Sequence, residues 1–284
     1  MIIKPEMLSD KFFELRKIPT KSKTLSTGFL DLDEKMRLAK RYLMIVTGYP
    51  SCGKSEFVDS LIINQALMHQ WSTIYYSPEN HPVEEHMAKL AEKFIGKPIL
   101  EFKEPEMHKA LAFLQEHFTW MYPEEPDLDT LLRLAEEEAT LRKIDCIVID
   151  PWNSVTHKRG KELIHEYLSE ALTKVIRFAR THKVLMAVVA HPKLPTKDKD
   201  GNILPPTLYD ISDGAMWRNK ADYGIVCHRE DMSKNEIEIR VQKVKYKWMG
   251  KVGNIVLDYN YKNGRFKSKN DDDFYLPTDI QAPF

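Results

Sequence analysis

An α/β fold built on a doubly wound, mostly parallel sheet, with antiparallel strands added at one edge, is what this sequence predicts. Three observations carry that prediction. Short apolar runs alternate with longer stretches of helical periodicity from residue 26 to about residue 190. A glycine-rich loop joins the first of these runs to the first long helical stretch. The last part, Tyr223 to Phe266, changes to strand-like patterning with a Lys262-Asn263-Gly264 turn, as antiparallel additions to a sheet edge would.

Taken in order, residues 4–17 place Leu8, Phe12 and Leu15 at i, i+4 and i+7 among charged residues, which reads as a short amphipathic helix. The polar stretch Lys17 to Thr24 has one proline and no core-forming pattern, so it reads as a linker, and the helix before it packs either elsewhere or on its own domain. Then follow a strand at 42–47, a helix at 54–69, a strand at 73–77 and a helix from about 83 to 95. After a less regular region come a helix near 128–142, the strand Cys146-Ile147-Val148-Ile149, a helix near 161–182 and the strand Val184 to Ala190. Past Lys267 the chain is polar and acidic and is expected to be disordered. The expected organisation is thus a linker helix and linker over 1–25, one α/β domain over 26–268 and an acidic tail over 269–284.

Composition narrows the function classes. At 284 residues the chain holds one large α/β domain with small appendages, since single cores stop growing near ~250–300 residues. With 42 basic residues against 42 acidic ones, any nucleic-acid surface has to be local. No apolar run approaches the ~18 residues that span a bilayer, and Met1-Ile2-Ile3-Lys4-Pro5-Glu6 does not read as a signal peptide. No membrane partner is expected, and the protein is expected to stay in the cytoplasm or wherever its genome is replicated. Cys52, Cys146 and Cys227 have no metal-ligand spacing and are expected as reduced thiols.

The segment Gly48-Tyr49-Pro50-Ser51-Cys52-Gly53-Lys54-Ser55 fits G-x-x-x-x-G-K-[ST] and follows the apolar run Tyr42 to Val46. Glycines at both ends of such a loop let backbone N–H groups turn inward on one anion, and the helix starting behind it adds partial positive charge. Residues Gly48 to Glu56 are therefore the expected contacts of ATP or another nucleoside triphosphate. Lys54 bridges the β- and γ-phosphates, and Ser55 holds Mg²⁺. Ile144 to Asp150 is an apolar strand ending in a carboxylate, and Asp150 is the expected partner of Ser55 in the Mg²⁺ shell. Glu79 ends the strand after the phosphate-loop helix; if those two strands are neighbours it points across the γ-phosphate and can orient the attacking water. His191, after the strand Val184 to Ala190, is placed either to touch the γ-phosphate or to sit as an ordinary surface histidine.

Together, Ser26-Thr27-Gly28-Phe29 with Leu32-Asp33, the phosphate loop, Ser77-Pro78-Glu79, Ile149-Asp150, Ala190-His191-Pro192-Lys193, Asp213-Gly214-Ala215 with Ala221-Asp222, and Gln242-Lys243-Val244-Lys245 resemble the RecA-like helicase domain of the DnaB-type ring helicases. The likeness is greatest to the mitochondrial Twinkle-type and phage primase–helicase branches and runs from about residue 26 to residue 266. The resemblance implies a RecA-like P-loop NTPase that assembles as a homo-hexamer or related ring, threads one DNA strand and hydrolyses nucleotide at subunit boundaries. It makes Glu79 the catalytic glutamate, Asp150 the Mg²⁺-associated aspartate and His191 the link from γ-phosphate to a DNA loop. Lys243 and Lys245 match a pair that a neighbouring subunit inserts towards the γ-phosphate. The second member is usually arginine, and lysine lacks its planar fork, so Arg240 and Lys247 remain alternatives for that role. Arg229 and Tyr259 match positions that sandwich the base.

The polar loop after His191 carries Lys193, Lys197 and Lys199; in the family its counterpart lines the channel, while by itself it reads as a solvated loop. A second loop after Asp150, with His157, Lys158, Arg159 and Lys161, would face the same channel. Neither has an aromatic ladder, so contacts with single-stranded DNA should be mainly to phosphates. The expected function is an NTP-driven DNA helicase, either by itself or as the helicase half of a primase–helicase. A recombinase-type ATPase of the same fold and a nucleotide-gated replisome scaffold are the alternatives. The acidic tail, ending Ala282-Pro283-Phe284, resembles tails with which phage helicases dock a polymerase, so a polymerase or primase is a candidate partner.

Overall fold

β-Branched and aromatic runs buried on both faces become strands, and the periodic stretches between them become helices that cover those faces. In the computed structural model, which describes residues 2–158, 163–201, 203–212 and 214–268, the chain runs α1 (Ser9–Leu15), α2 (Leu30–Asp33), β1 (Leu43–Thr47), α3 (Lys54–His69), β2 (Thr73–Tyr76), α4 (Val83–Ile95), α5 (Glu104–His117) and β3 (Phe118–Trp120). It continues through α6 (Leu128–Leu141), β4 (Cys146–Ile149), α7 (Ile164–His182), β5 (Leu185–Ala190), α8 (Gly214–Lys220), β6 (Tyr223–His228), β7 (Glu236–Val244), β8 (Gly253–Asn260) and β9 (Arg265–Ser268). Arg159, Lys161, Asn202, Asp213 and the tail from residue 269 lie outside the described residues, and with them the expectations placed on Arg159 and on the tail.

The strands form one sheet in the order β3-β2-β4-β5-β1-β6-β7-β8-β9, parallel from β3 to β6 and antiparallel beyond. Side chains alternate across it: Met44 and Val46 of β1 join the core under α3, α4 and α5, whereas Leu43 and Ile45 join the core under α6, α7 and α8. Helix α7 buries Leu168, Ala171, Leu172, Val175 and Ala179, one face at helical spacing, against that second core. Helix α3 has no exposed face from Phe57 to Ala66, Asp59, Ser60, Asn64 and Gln65 included, and α4 and β9 pack against it.

The condition set for Glu79 is not met. The strand that carries Glu79 is not beside the phosphate-loop strand: β4 and β5 separate β2 from β1. A 16-residue helix is ~24 Å long and its return loop can cross several strand positions of ~4.8 Å, so the βαβ unit does not oblige β1 and β2 to pair. The wholly apolar β4 and β5 take the central slots instead. The less regular region resolves into α5 and β3, and α8 was not anticipated. Helix α1 stands with Phe12, Phe13 and Leu15 exposed and no residue buried.

Candidate functional site

The parallel strands point their C-terminal ends to one edge, and the site is assembled there from four of the loops that follow them. After β1 the chain must turn back sharply into α3, and Gly48 and Gly53 make that possible. A Cβ on Gly48 would lie 2.3 Å from the Cys227 carbonyl oxygen and 2.5 Å from Cys52 Sγ, and Gly53 has a φ of +87°. Gly53, at the N-cap of α3, offers no side-chain cap, so the first N–H groups of a long helix face the loop without a side-chain partner at the cap. That is an arrangement that fits a phosphate. Lys54 is buried and its Nζ donates to the Tyr49 carbonyl at 2.9 Å, folded back over the loop it would share with a triphosphate.

Asp150, at the end of β4, is buried, and the nearby Ser55 hydroxyl favours its charged form. Burial raises its pKa to about 6, with Asp59 and Glu79 pushing the same way against Ser55 and Lys54. Among the described residues no cluster of three or more His, Cys, Asp or Glu could hold a metal alone. A cation held between Ser55 and Asp150 would need further oxygens from a bound ligand or from water.

Glu79 reaches this group although β2 is not beside β1, because the 3-10 turn Pro78–Asn80 carries it towards the end of β5, where Glu79 Oε1 lies 3.5 Å from His191 Nε2. Burial and the Lys54 ammonium lower the His191 pKa, while Glu79 raises it. The net direction keeps the ring neutral, with Nδ1 buried and unpartnered among the described residues. His191 also heads the loop bearing Lys193, Lys197 and Lys199, whose ammonium groups are exposed and form no hydrogen bond or ion pair among the described residues. A second strap joins that loop to the phosphate loop: the Thr196 N–H donates to the Tyr49 hydroxyl at 3.3 Å. Lys158 is placed differently, since its Nζ is held by Asp127 at 2.9 Å and Glu125 at 3.1 Å, and that pairing, with the Thr130 N–H, lowers the Asp127 pKa to about 2.

On the other flank, the phosphate loop opens into a cavity of about 270 Å³ lined by Cys52, Glu56, Arg229, Tyr259, Tyr261 and Phe266, among others. Arg229 and Tyr259 thus come together as the sequence suggested. Tyr261 was missed. It packs edge-to-face on Tyr259 at 4.9 Å, and its hydroxyl accepts from Arg229 Nη2 at 3.0 Å. Glu56 accepts from the Tyr259 hydroxyl at 3.2 Å rather than standing free.

Lys243 and Lys245 are not in this group. Tyr223 pairs with Met44 near the start of β1 and with Val244 of β7, so both lysines sit at the opposite edge of the sheet, ~15 Å of strand away from Lys54. There Lys245 Nζ is bound to the buried Asp222 at 2.6 Å, Lys243 Nζ caps the end of α8 on the Arg218 and Asn219 carbonyls, and Arg240 Nε is 2.7 Å from Glu238. Burial lowers the Lys243 pKa. Lys247 is exposed and unpaired among the described residues.

Comparison with known proteins gives a consistent result. A family model described as the DnaB-like helicase C terminal domain matches residues 24–268. A Twinkle homolog protein, chloroplastic/mitochondrial, of Arabidopsis thaliana is 33% identical over 260 residues, covering 85% of this chain and 36% of that protein. A probable plasmid replicative DNA helicase of Chlamydia psittaci is 24% identical, covering 85% of this chain and 55% of that protein. The chain thus spans about a third to a half of the length of these relatives. Among solved structures, an isolated ATPase domain superposes with a TM-score of 0.72 at 17% identity over 93% of this chain and 97% of that one. A DnaB-like replicative helicase solved with regard to its interactions with primase gives 0.74 at 17% identity over 94% of this chain and 68% of that one. At that identity the structural likeness speaks for the fold.

Proposed function

The chain belongs to the DnaB-like helicase C-terminal domain family, and on that premise we propose that it is the motor domain of a ring-shaped replicative DNA helicase driven by ATP or another nucleoside triphosphate with Mg²⁺. The observation that carries the reading is the pair of straps between chemistry and loop: His191, in contact with Glu79, and Tyr49, in contact with Thr196, both join the phosphate site to the loop of Lys193, Lys197 and Lys199, unpaired among the described residues. Loss of the γ-phosphate then moves a cationic loop that grips phosphates, with no base readout needed.

In this reading Gly48 to Ser55 cradle the triphosphate, with Lys54 on its β- and γ-oxygens, and Ser55 and Asp150 would hold Mg²⁺, which would supply positive charge against the charge that develops. Glu79 orients the attacking water and takes its proton, with His191 reporting the result. Arg229 and Tyr259, with Tyr261 behind them, hold the base. The missing cation comes from the far edge of another copy of the chain, from Lys243, Lys245 or Lys247. Copies arranged head to tail, near edge to far edge, close into a ring, which is why a homo-hexamer or a related ring is proposed. The exposed apolar face of α1 is proposed to dock on the adjacent copy. The site of genome replication is the proposed location, and no helix among the described residues is long and apolar enough to cross a membrane. A polymerase or primase is proposed to dock on the segment after residue 269, and Arg159 to assist the loop lysines.

Labelled forked DNA tests the reading. Strand displacement that requires a hydrolysable nucleotide supports it. Filament coating without displacement would move the chain to a recombinase role, and nucleotide binding with neither effect would make it a scaffold.

A further inference from the structure

The base cavity and the Glu79 turn lie on opposite flanks of the phosphate loop, yet a continuous line of polar contacts joins them through α3 and α4. Tyr259 Oη donates to Glu56 Oε2 at 3.2 Å, and the buried Lys93 ammonium holds that same oxygen. The other oxygen, Glu56 Oε1, lies 3.1 Å from Lys89 Nζ. Lys89 Nζ in turn donates to Asn80 Oδ1 at 3.0 Å, and Asn80 Nδ2 donates to Ser77 Oγ at 2.8 Å. Asn80 and Ser77 bracket the turn that carries Glu79, and that turn is further pinned by the Tyr122 hydroxyl on the Ser77 carbonyl at 2.7 Å. Burial works against the charge of Lys89, but Glu56 outweighs it with help from Asp59 and Asp150, and its pKa stands above the ordinary lysine value. It is an ammonium at any working pH.

We propose that Lys89 is a positioning residue that ties occupancy of the base cavity to the placement of Glu79. The inference rests on the nucleotide site argued above. A base stacked on Tyr259 fixes the phenol, which keeps one Glu56 oxygen and leaves the other to Lys89. Lys89 then holds Asn80, and with it the carboxylate that must sit within hydrogen-bond reach of the attacking water. With the cavity empty, Glu56 keeps Lys93 and Lys89, but the Tyr259 ring at the end of the line has nothing stacked on it, so the line holds the turn less firmly. The consequence is that a nucleoside triphosphate is turned over faster than its phosphates alone would be. The fold does not need the link: the Lys89 side chain is 43% exposed and contributes nothing to either core. A displacement of about 1 Å at a general base costs up to about 100-fold in rate.

The test compares kcat and KM for Mg²⁺-ATP and Mg²⁺-tripolyphosphate in the full chain, with circular dichroism to confirm folding. Lys89→Met should lower kcat for ATP about 10- to 100-fold with KM within about 3-fold, and Lys89→Arg should recover most of it. Wild-type hydrolysis of tripolyphosphate should already be slow and should not fall further in Lys89→Met. Tyr259→Phe, which keeps the ring but removes the hydroxyl, should lower kcat and add little on top of Lys89→Met, because the two act through one line of contacts. Asn80→Ala cuts the next link and should reproduce the loss. Wild-type kcat in Lys89→Met, a change in KM alone, or multiplicative losses with Tyr259→Phe would overturn the relay while leaving the nucleotide site intact. No turnover in the wild-type chain would overturn the site reading and the relay with it.

Discussion

At the carboxyl ends of its parallel strands the sheet gathers Lys54, Glu79, Asp150 and His191 within one chain, whereas at the opposite edge Lys243, Lys245 and Lys247 stand beside the start of β1 with no phosphate site of their own. In the proposed reading the first edge supplies the anion cradle, the metal partner and the water-orienting base, and Lys54 is the cation inside its phosphate loop. The second edge has cations to offer, and two of the three are held in place by Asp222 and the α8 carbonyls. Held cations stand ready at fixed positions, a form of preorganisation that costs nothing at the moment of reaction. On the proposed reading, the difference makes one copy a complete binding site and an incomplete catalytic one.

The largest expected effects fall on the first edge. Lys54→Ala should abolish measurable nucleotide binding by titration calorimetry. Glu79→Gln should bind ATP and Mg²⁺ normally yet hydrolyse at least about 100-fold more slowly, the usual size of a general-base contribution. Wild-type turnover in Glu79→Gln would remove that residue from the chemistry.

The second edge should show the converse. With Lys243, Lys245 and Lys247 all changed to Gln, which can still donate a hydrogen bond to Asp222, nucleotide affinity should stay within a few-fold. Turnover should fall about 1,000-fold or more, the lower end of the range for transition-state cations supplied by a neighbour. Lys247→Gln alone separates the unpaired lysine from the two that are tied down. Equal losses of affinity and turnover would mean that this edge merely holds the fold.

Smaller effects distinguish the two loops that leave the first edge. Replacing Lys193, Lys197 and Lys199 with Ala should weaken single-strand binding and reduce the slope of log K against log salt by up to about 2, with nucleotide binding spared. An unchanged slope would return this loop to a solvated role. Lys158→Ala should leave the slope almost unchanged, because Lys158 is spent on Asp127 and Glu125. Its effect should appear in acid. The Asp127 carboxyl is held down at about 2 from an ordinary 3.8, so the stability it brings is present above pH 3.8 and is lost as pH falls through about 2. In Lys158→Ala the Asp127 titration followed by NMR should move up towards 3.8.

Much of the first edge was legible in the sequence, since a phosphate loop between strand and helix, a strand ending in Asp150 and a strand ending before His191 are local patterns. What escaped is non-local. Apolar runs as uniform as β4 and β5 do not say which of them lies beside β1, so the route by which Glu79 reaches the site had to come from the fold. Tyr261 escaped because two tyrosines two residues apart in a strand read as one face of a sheet, while the turn after β8 sends Tyr261 against Arg229. The pairings of Lys158 and Lys245 escaped because each partner is distant in sequence, and a charged residue does not reveal in the chain whether its charge is already taken.

The central claim, that one copy supplies the base and another the cation, is tested most directly by mixing two inactive chains. One carries Glu79→Gln and the other the triple Lys243, Lys245 and Lys247 to Gln change, and mixed assembly is verified with distinct affinity tags. In randomly mixed rings about a quarter of the boundaries pair an intact phosphate site with an intact lysine edge, so ATP hydrolysis should return to roughly that share of the wild-type rate. Mixed rings that hydrolyse no faster than either parent would contradict the account.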